Sequence, residues 1–158
     1  GILEALQRGS GNRNKPPPRA LAQFDDGDVI TPDGQRAGVS VNKYDLTCPR
    51  PGCGSVILKK GIATWVERSS VQMEPPGGPK HSLLPMLPDP PETTHWWLVT
   101  PSPMTFENIG FTRPISITTA FLEPQMKLLT CAECDLGPLG WSAVGGTEFW
   151  LACSRVAY

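Results

Sequence analysis

Residues 47–55 read TCPRPGCGS and residues 129–137 read LTCAECDLG. Each stretch sets two cysteines on one tight turn: Cys48 and Cys53 with four residues between them, Cys131 and Cys134 with two. Spacings of two to four residues let both sulfurs of a pair face one ion, and two such pairs supply the four thiolates of a closed, tetrahedral zinc shell. Gly54 and Gly137 follow the pairs, where a missing side chain lets backbone N–H groups approach the sulfurs. Almost half of the 158 residues lie between the pairs, so an ion gripping both would join two remote turns. It would also restrict the unfolded chain strongly. The rival reading is disulfides, or unrelated buried thiols. Five cysteines, an odd count, fit four metal ligands plus the spare thiol of Cys153 better than a disulfide framework. GILEALQR is too short and too polar for a signal-peptide core, so the expected compartment is the reducing cytoplasm, where disulfides are rare.

A chain of this length is expected to fold as one domain with a real core. Its formal net charge of −1 argues against nucleic acid as a partner. No apolar run is long enough to predict a transmembrane segment. The 18 prolines and 16 glycines discourage long helices and cluster at residues 15–19, 74–79 and 85–91, which read as loops. Residues 71–94 are expected to form a proline-rich insertion that protrudes and carries few core residues.

Strands dominate from about residue 40 onward. VITPDGQRAGVSV (29–41) reads as a hairpin around TPDG. Residues 56–58 and 62–66 read as two strands, with KKG as the turn between them. HWWLV (95–99) is a strand that TPSPM interrupts, since proline donates nothing to a ladder. Residues 104–119 continue in extended form, with Asn108 or Gly110 at a turn or bulge. GPLGWSAV and EFWLACSRV form a closing hairpin around GGT, with Phe149, Leu151 and Cys153 on one face and Trp150, Ala152 and Ser154 on the other. Upstream, residues 1–8 read as one or two helical turns, 12–19 as a polyproline-like stretch, and 25–28 as a solvated acidic turn. The sum is a small, mainly β domain clamped by zinc, two distant hairpins each donating one cysteine knuckle.

Four cysteines leave the metal no open coordination position, so the ion is structural and any activity lies elsewhere. His81 sits in the proline-rich insertion. His95, at a strand start, reads as a capping or packing residue, because no motif supplies the orienting partner of a general base. Cys153 is the one candidate nucleophile, two residues before Arg155; the plainer reading is an inert buried thiol. GSGNRNK lacks the closing Gly-Lys-Ser/Thr of a phosphate loop, and no Gly-x-Ser-x-Gly elbow occurs. Residues 101–111, with Met104, Phe106, Glu107, Asn108 and Phe111, read equally as a protein-binding edge or as core.

CGSVIL, HWWLV, FENIGFT, LLTCAECDLGPLGW and a closing SRV follow one another in that order over residues 43–158. In this the chain closely resembles the Rab-interacting factor family of zinc proteins, the mammalian suppressors of Sec, with their fungal counterparts. The resemblance implies several curved antiparallel sheets around one structural zinc, with Cys48, Cys53, Cys131 and Cys134 as ligands. It also implies a partner, an exocytic Rab-family small GTPase bound in its nucleotide-free form, and a function: release of GDP or GTP, as a slow exchange factor or chaperone in vesicle transport. No covalent catalysis is implied. The GTPase-binding surface carries over to Ser102, Pro103, Met104, Thr105, Phe106, Glu107 and Asn108, and to Glu133 inside the second pair. Residues 1–42 fall outside the resemblance, as a partly flexible extension. The chain is expected to be a monomer outside the complex, recruited to vesicle or plasma membranes only through its GTPase. Three features depart from the family: its first pair has two intervening residues, not four; its segment before FEN is acidic and apolar where this chain reads TPSPMT, with a one-residue insertion; and residues 71–94 and 1–42 differ. The rival class is a methionine-R-sulfoxide reductase using Cys153, although the Arg-x-Cys-x-Asn signature is absent. A zinc-ribbon nucleic-acid binder is disfavoured by the lack of a basic stripe.

Overall fold

Among the described residues, every regular element longer than a single turn is a strand. The computed structural model describes residues 19–24, 28–71, 73, 83–112 and 126–158. The helical turns expected at residues 1–8, most of the polyproline-like stretch, residues 25–27, His81 and the extended run beyond Thr112 lie outside them. The strands are β1 (Ile30–Pro32), β2 (Ser40–Asn42), β3 (Leu46–Thr47), β4 (Val56–Leu58), β5 (Thr64–Ser69), β6 (Thr93–Val99), β7 (Gly110–Phe111), β8 (Met126–Thr130), β9 (Gly140–Ala143) and β10 (Phe149–Ala152). Eight form one antiparallel sheet in the order β1-β2-β5-β6-β10-β9-β8-β7, and β3 pairs with β4 in a small second sheet. The mainly β, antiparallel architecture expected from the sequence is the one the chain adopts.

Side-chain alternation divides the large sheet into two apolar faces. Trp97, Val99, Leu129, Phe149 and Leu151 point to the main core, shared with Leu46, Ile57 and Leu58 of the small sheet. Trp96, Trp150 and Ala152 point the other way, joined by half-buried Val66, Leu98, Leu128 and Trp141. The closing hairpin forms as read, with Trp150 opposite Trp141 and Leu151 opposite Gly140. Gly140 is obligatory there, because a Cβ would collide with the backbone of Trp150 and Leu151. Cys153 lies not in the strand but in a 3-10 turn, Cys153–Arg155, though its side chain still joins the face of Phe149 and Leu151.

Three expectations need correction. Residues 56–58 and 62–66 do not form a hairpin with each other: β4 pairs with β3, while β5 pairs with β2 and β6. The reason is Asn42, whose side chain takes hold of the backbone of residues 59–63 and turns it from one sheet into the other. The proline-rich segment does not stand clear of the core at its described ends. Met73 and Leu84 are buried, Val71, Leu83 and Leu87 pack beside them, and β6 begins at Thr93. Likewise β1 and β2, from the segment expected as an extension, form one edge of the main sheet.

Residues 156–158 fold back into the core. Ala157 exchanges backbone hydrogen bonds with Thr47 at 2.8 and 2.9 Å. The buried Tyr158 hydroxyl accepts from Trp97 Nε1 at 2.9 Å and donates to the Cys153 carbonyl at 2.7 Å. Tyr158→Phe strands both partners away from water, at a cost of about 2 kcal/mol. Urea unfolding should show this as a lower midpoint with an unchanged slope.

Candidate metal centre

The first cysteine knuckle is the loop between β3 and β4, and the second joins β8 to β9. Each is closed by its own backbone. Cys48 N–H donates to Ser55 O at 2.9 Å and Cys53 N–H to Arg50 O at 3.0 Å. In the second knuckle, Cys131 N–H donates to Leu136 O at 2.9 Å and Asp135 N–H to Cys131 O at 2.8 Å. The first, longer loop closes through Gly52 and Gly54 at φ of 89° and 58°. The second places Asp135 at 62°, a left-handed conformation that aspartate tolerates better than most residues.

Together the loops bring the four sulfurs within 4.8 Å of one another. Cys48 Sγ lies 3.5 Å from Cys134 Sγ, and Cys53 Sγ 3.8 Å from Cys131 Sγ, so each close pair spans the two knuckles. A tetrahedral ion with thiolate bonds of about 2.3 Å separates its ligands by roughly 3.8 Å. The donor set and its dimensions therefore fit one metal ion held by Cys48, Cys53, Cys131 and Cys134. Such an ion supplies a crosslink between the small sheet and the large one.

The sulfurs are not equivalent. Cys48 and Cys131 are buried, while Cys53 and Cys134 are half-buried and line a cleft of about 500 Å³ with Arg50, Ser55 and Glu133. Burial pushes the Cys48 thiol well up, against the backbone of Arg50. Burial also acts to raise Cys53, but the Ser55 hydroxyl, the Ser55 backbone and the neighbouring sulfurs outweigh it and bring the thiol to about 7. Ligation needs thiolates, so a bound cation would offset the burial that raises Cys48.

The stretch from Ser102 to Asn108 is tied to this centre. Asn108 Oδ1 accepts from Ala132 N–H at 2.9 Å and Nδ2 lies 3.5 Å from Cys131 Sγ. The backbone N–H of Glu107 donates to Ile57 O at 2.9 Å. Phe106 is buried edge-on against Phe149. Ser102 Oγ accepts from Met104 N–H at 3.0 Å, capping a 3-10 turn, Pro103–Thr105, and Thr105 Oγ1 reaches back to Thr100 O. Phe106 and Asn108 are thus engaged within the chain. Pro103, Met104 and Glu107 face solvent, as does Glu133 on the second knuckle, and Met104 is 89% exposed.

Cys153 lacks the setting of a nucleophile. It is 1% exposed, and burial is the dominant influence on its thiol, pushing it well above the ordinary range. Arg155 directs Nε to Pro85 O and Nη1 to Pro138 O. His95 stacks on Trp65 with ring centroids 4.5 Å apart, which is a packing role. Sequence reasoning missed Asn42 and also Arg68, which lies over two tryptophans of β9 and β10. Neither has a local sequence signal, because their partners are remote along the chain.

Comparison with known proteins places these features in a family. Residues 41–158 match the family model described as Mss4 protein. Among relatives, the guanine nucleotide exchange factor MSS4 homolog of Drosophila melanogaster is 36% identical over 63 residues, 40% of this chain and 44% of that protein. The protein of the same name from Schizosaccharomyces pombe is 33% identical over 63 residues, 40% of this chain and 55% of that one. The similarity thus spans about half the length of these curated relatives. The family match, by contrast, takes in both knuckles, the segment that Asn108 pins to them and the strands from β3 to β10. The chain belongs to the Mss4 protein family.

Proposed function

We propose that this chain binds an exocytic Rab-family small GTPase, prefers its nucleotide-free form and thereby promotes release of GDP or GTP, with zinc as the structural ion. The observation that carries this reading is the exposed Met104. An apolar side chain presented on a 3-10 turn that starts at proline, flanked by exposed Pro103 and Glu107, offers a partner an anchor with a charge beside it. Asn108, just past that turn, is held to the second knuckle, which brings the segment carrying Met104 and Glu107 together with the knuckle carrying Glu133. The names of both relatives support the exchange role. Zinc is supported by the all-thiolate, four-coordinate donor set.

No bond is made or broken in this mechanism. A GTPase holds its nucleotide through a phosphate loop, magnesium and ordered switch segments. A partner selective for the empty conformation must, by linkage, weaken nucleotide binding by the same factor. Met104 and the two carboxylates dock on the switch region and leave the nucleotide-binding segments without their order.

Release of fluorescently labelled GDP from a panel of exocytic Rabs tests this. Added protein should accelerate release from at least one of them. Glu107→Lys and Glu133→Lys should each weaken binding about tenfold, in keeping with close charged contacts at an interface. Met104→Asp should do the same through its apolar contact. Equal release rates with and without the protein across the whole panel reject the function. Unchanged affinity in all three variants rejects the surface.

A further inference from the structure

On the sheet face opposite Phe149, Trp141 and Trp150 are register partners whose rings lie nearly parallel, centroids 6.3 Å apart at 17°. Arg68 of β5 reaches across to them. Its Cζ lies 4.5 Å from the Trp150 ring centre and 5.1 Å from that of Trp141. Among the described residues its guanidinium meets no carboxylate and no hydrogen-bond acceptor. A pocket of about 400 Å³ opens at this point, lined by Arg68, Thr100, Trp141, Thr147, Glu148 and Trp150 among others. The indole N–H of Trp141 is buried and also without a partner.

A guanidinium carries five N–H donors in a fixed plane. Two aromatic faces hold it by cation–π attraction, which orients the group without using its donors. That is a preorganised fork for a planar oxyanion. We propose that the pocket binds a carboxylate on an acidic side chain of a partner polypeptide. Carboxylate is the closer match: among the described residues Arg68 is the only cation lining the pocket, Glu148 shares that lining, and one guanidinium fork neutralises one negative charge. The surroundings select a peptide. Half-buried Leu98 and Leu128 pack on the same sheet face as the two indoles and offer cover to apolar residues flanking the acid. Thr100 lines the pocket and also accepts from Thr105 of the Met104 turn, so the two surfaces adjoin, but the carboxylate reading does not depend on the guanine-nucleotide reading.

The test is a titration of the metal-loaded full chain, followed by the NMR signals of its five indole N–H groups. The probes are an acetylated, amidated Leu-Glu-Leu peptide, its Leu-Gln-Leu counterpart and inorganic phosphate. The Glu peptide should shift the Trp141 and Trp150 signals saturably and leave Trp65 unmoved. The Gln peptide should bind about tenfold more weakly, since it lacks the charge that strengthens the fork. Arg68→Gln should abolish the response while the Trp65 and Trp97 signals report an intact fold. Glu148→Gln should tighten binding about threefold by removing a like charge. Equal responses to the Glu and Gln peptides, or a response undiminished in Arg68→Gln, would overturn the proposal. So would saturation by phosphate at lower concentration than by the Glu peptide.

Discussion

Replacing Cys131 with serine, or extracting the ion with a chelator, is expected to unfold the domain, not merely to loosen one corner of it. A structural zinc site contributes about 10–16 kcal/mol to the folding of small metallopeptides. A domain of ordinary stability has about 5–15 kcal/mol in all. Losing one of four ligands, let alone the ion, therefore removes a share comparable with the whole. The fold shows why little remains in reserve. The small β3–β4 sheet meets the rest of the chain through the four-sulfur cluster, the backbone exchange between Thr47 and Ala157, the bond from Glu107 N–H to Ile57 O, and its share of the core. Without a cation, four sulfurs 3.5–4.8 Å apart must be kept together with nothing to offset their crowding, two of them away from water. Cys53→Ser should cost less than Cys131→Ser, because Cys53 is half-buried and its hydroxyl replacement can be solvated. Protons compete with the ion for thiolates, so the same collapse comes on as pH falls. Urea unfolding monitored by tryptophan fluorescence, with and without chelator, reads the effect. Elemental analysis should find one ion per chain in the untreated protein. A metal-free chain that kept its urea midpoint would contradict a structural role.

The cysteine pairs were legible because each is local. A short loop between paired strands, stiffened by proline or glycine, fixes two sulfurs whatever the remainder of the chain does. The closing hairpin was legible for a similar reason: Phe149, Trp150 and Leu151 alternate between two apolar faces, and Gly145 at φ 78° completes the turn between β9 and β10. What could not be read is what depends on remote partners. Lys59, Lys60 and Gly61 have the composition of a hairpin turn, yet the flanking strands enter different sheets because a residue some twenty positions upstream holds the loop. β3 is two residues long and would not be a strand without β4 and Ala157. Phe106 and Met104 sit two positions apart in one extended-looking run, one buried against Phe149 and the other bare; only the 3-10 turn between them explains the difference. Arg68 carries no pattern that announces two indoles from β9 and β10.

Asn42→Ala should produce the second large loss, on the order of 4 kcal/mol, because the side chain is fully satisfied and fully buried. Its Nδ2 donates to Tyr44 O at 2.8 Å and to Lys59 O at 3.0 Å. Its Oδ1 accepts from Ile62 N–H at 3.0 Å and from Ala63 N–H at 2.8 Å. Asn42 is 0% exposed and its bond to Ala63 N–H is buried, so water does not replace that contact when the amide is removed. Alanine would strand two carbonyls and two N–H groups in the crossover that feeds β5 into the main sheet. A loss of volume alone would give a smaller effect, and the conservative Asn42→Asp separates the two causes. Aspartate fills the same space but offers only acceptors when ionised, so it faces the carbonyls of Tyr44 and Lys59 with repulsion instead of bonds. It should therefore destabilise at neutral pH at least as much as alanine, despite matching asparagine in shape. Thermal unfolding of the two variants at neutral pH decides the matter. An aspartate variant close to wild type would mean that the crossover is held by packing and not by these four hydrogen bonds.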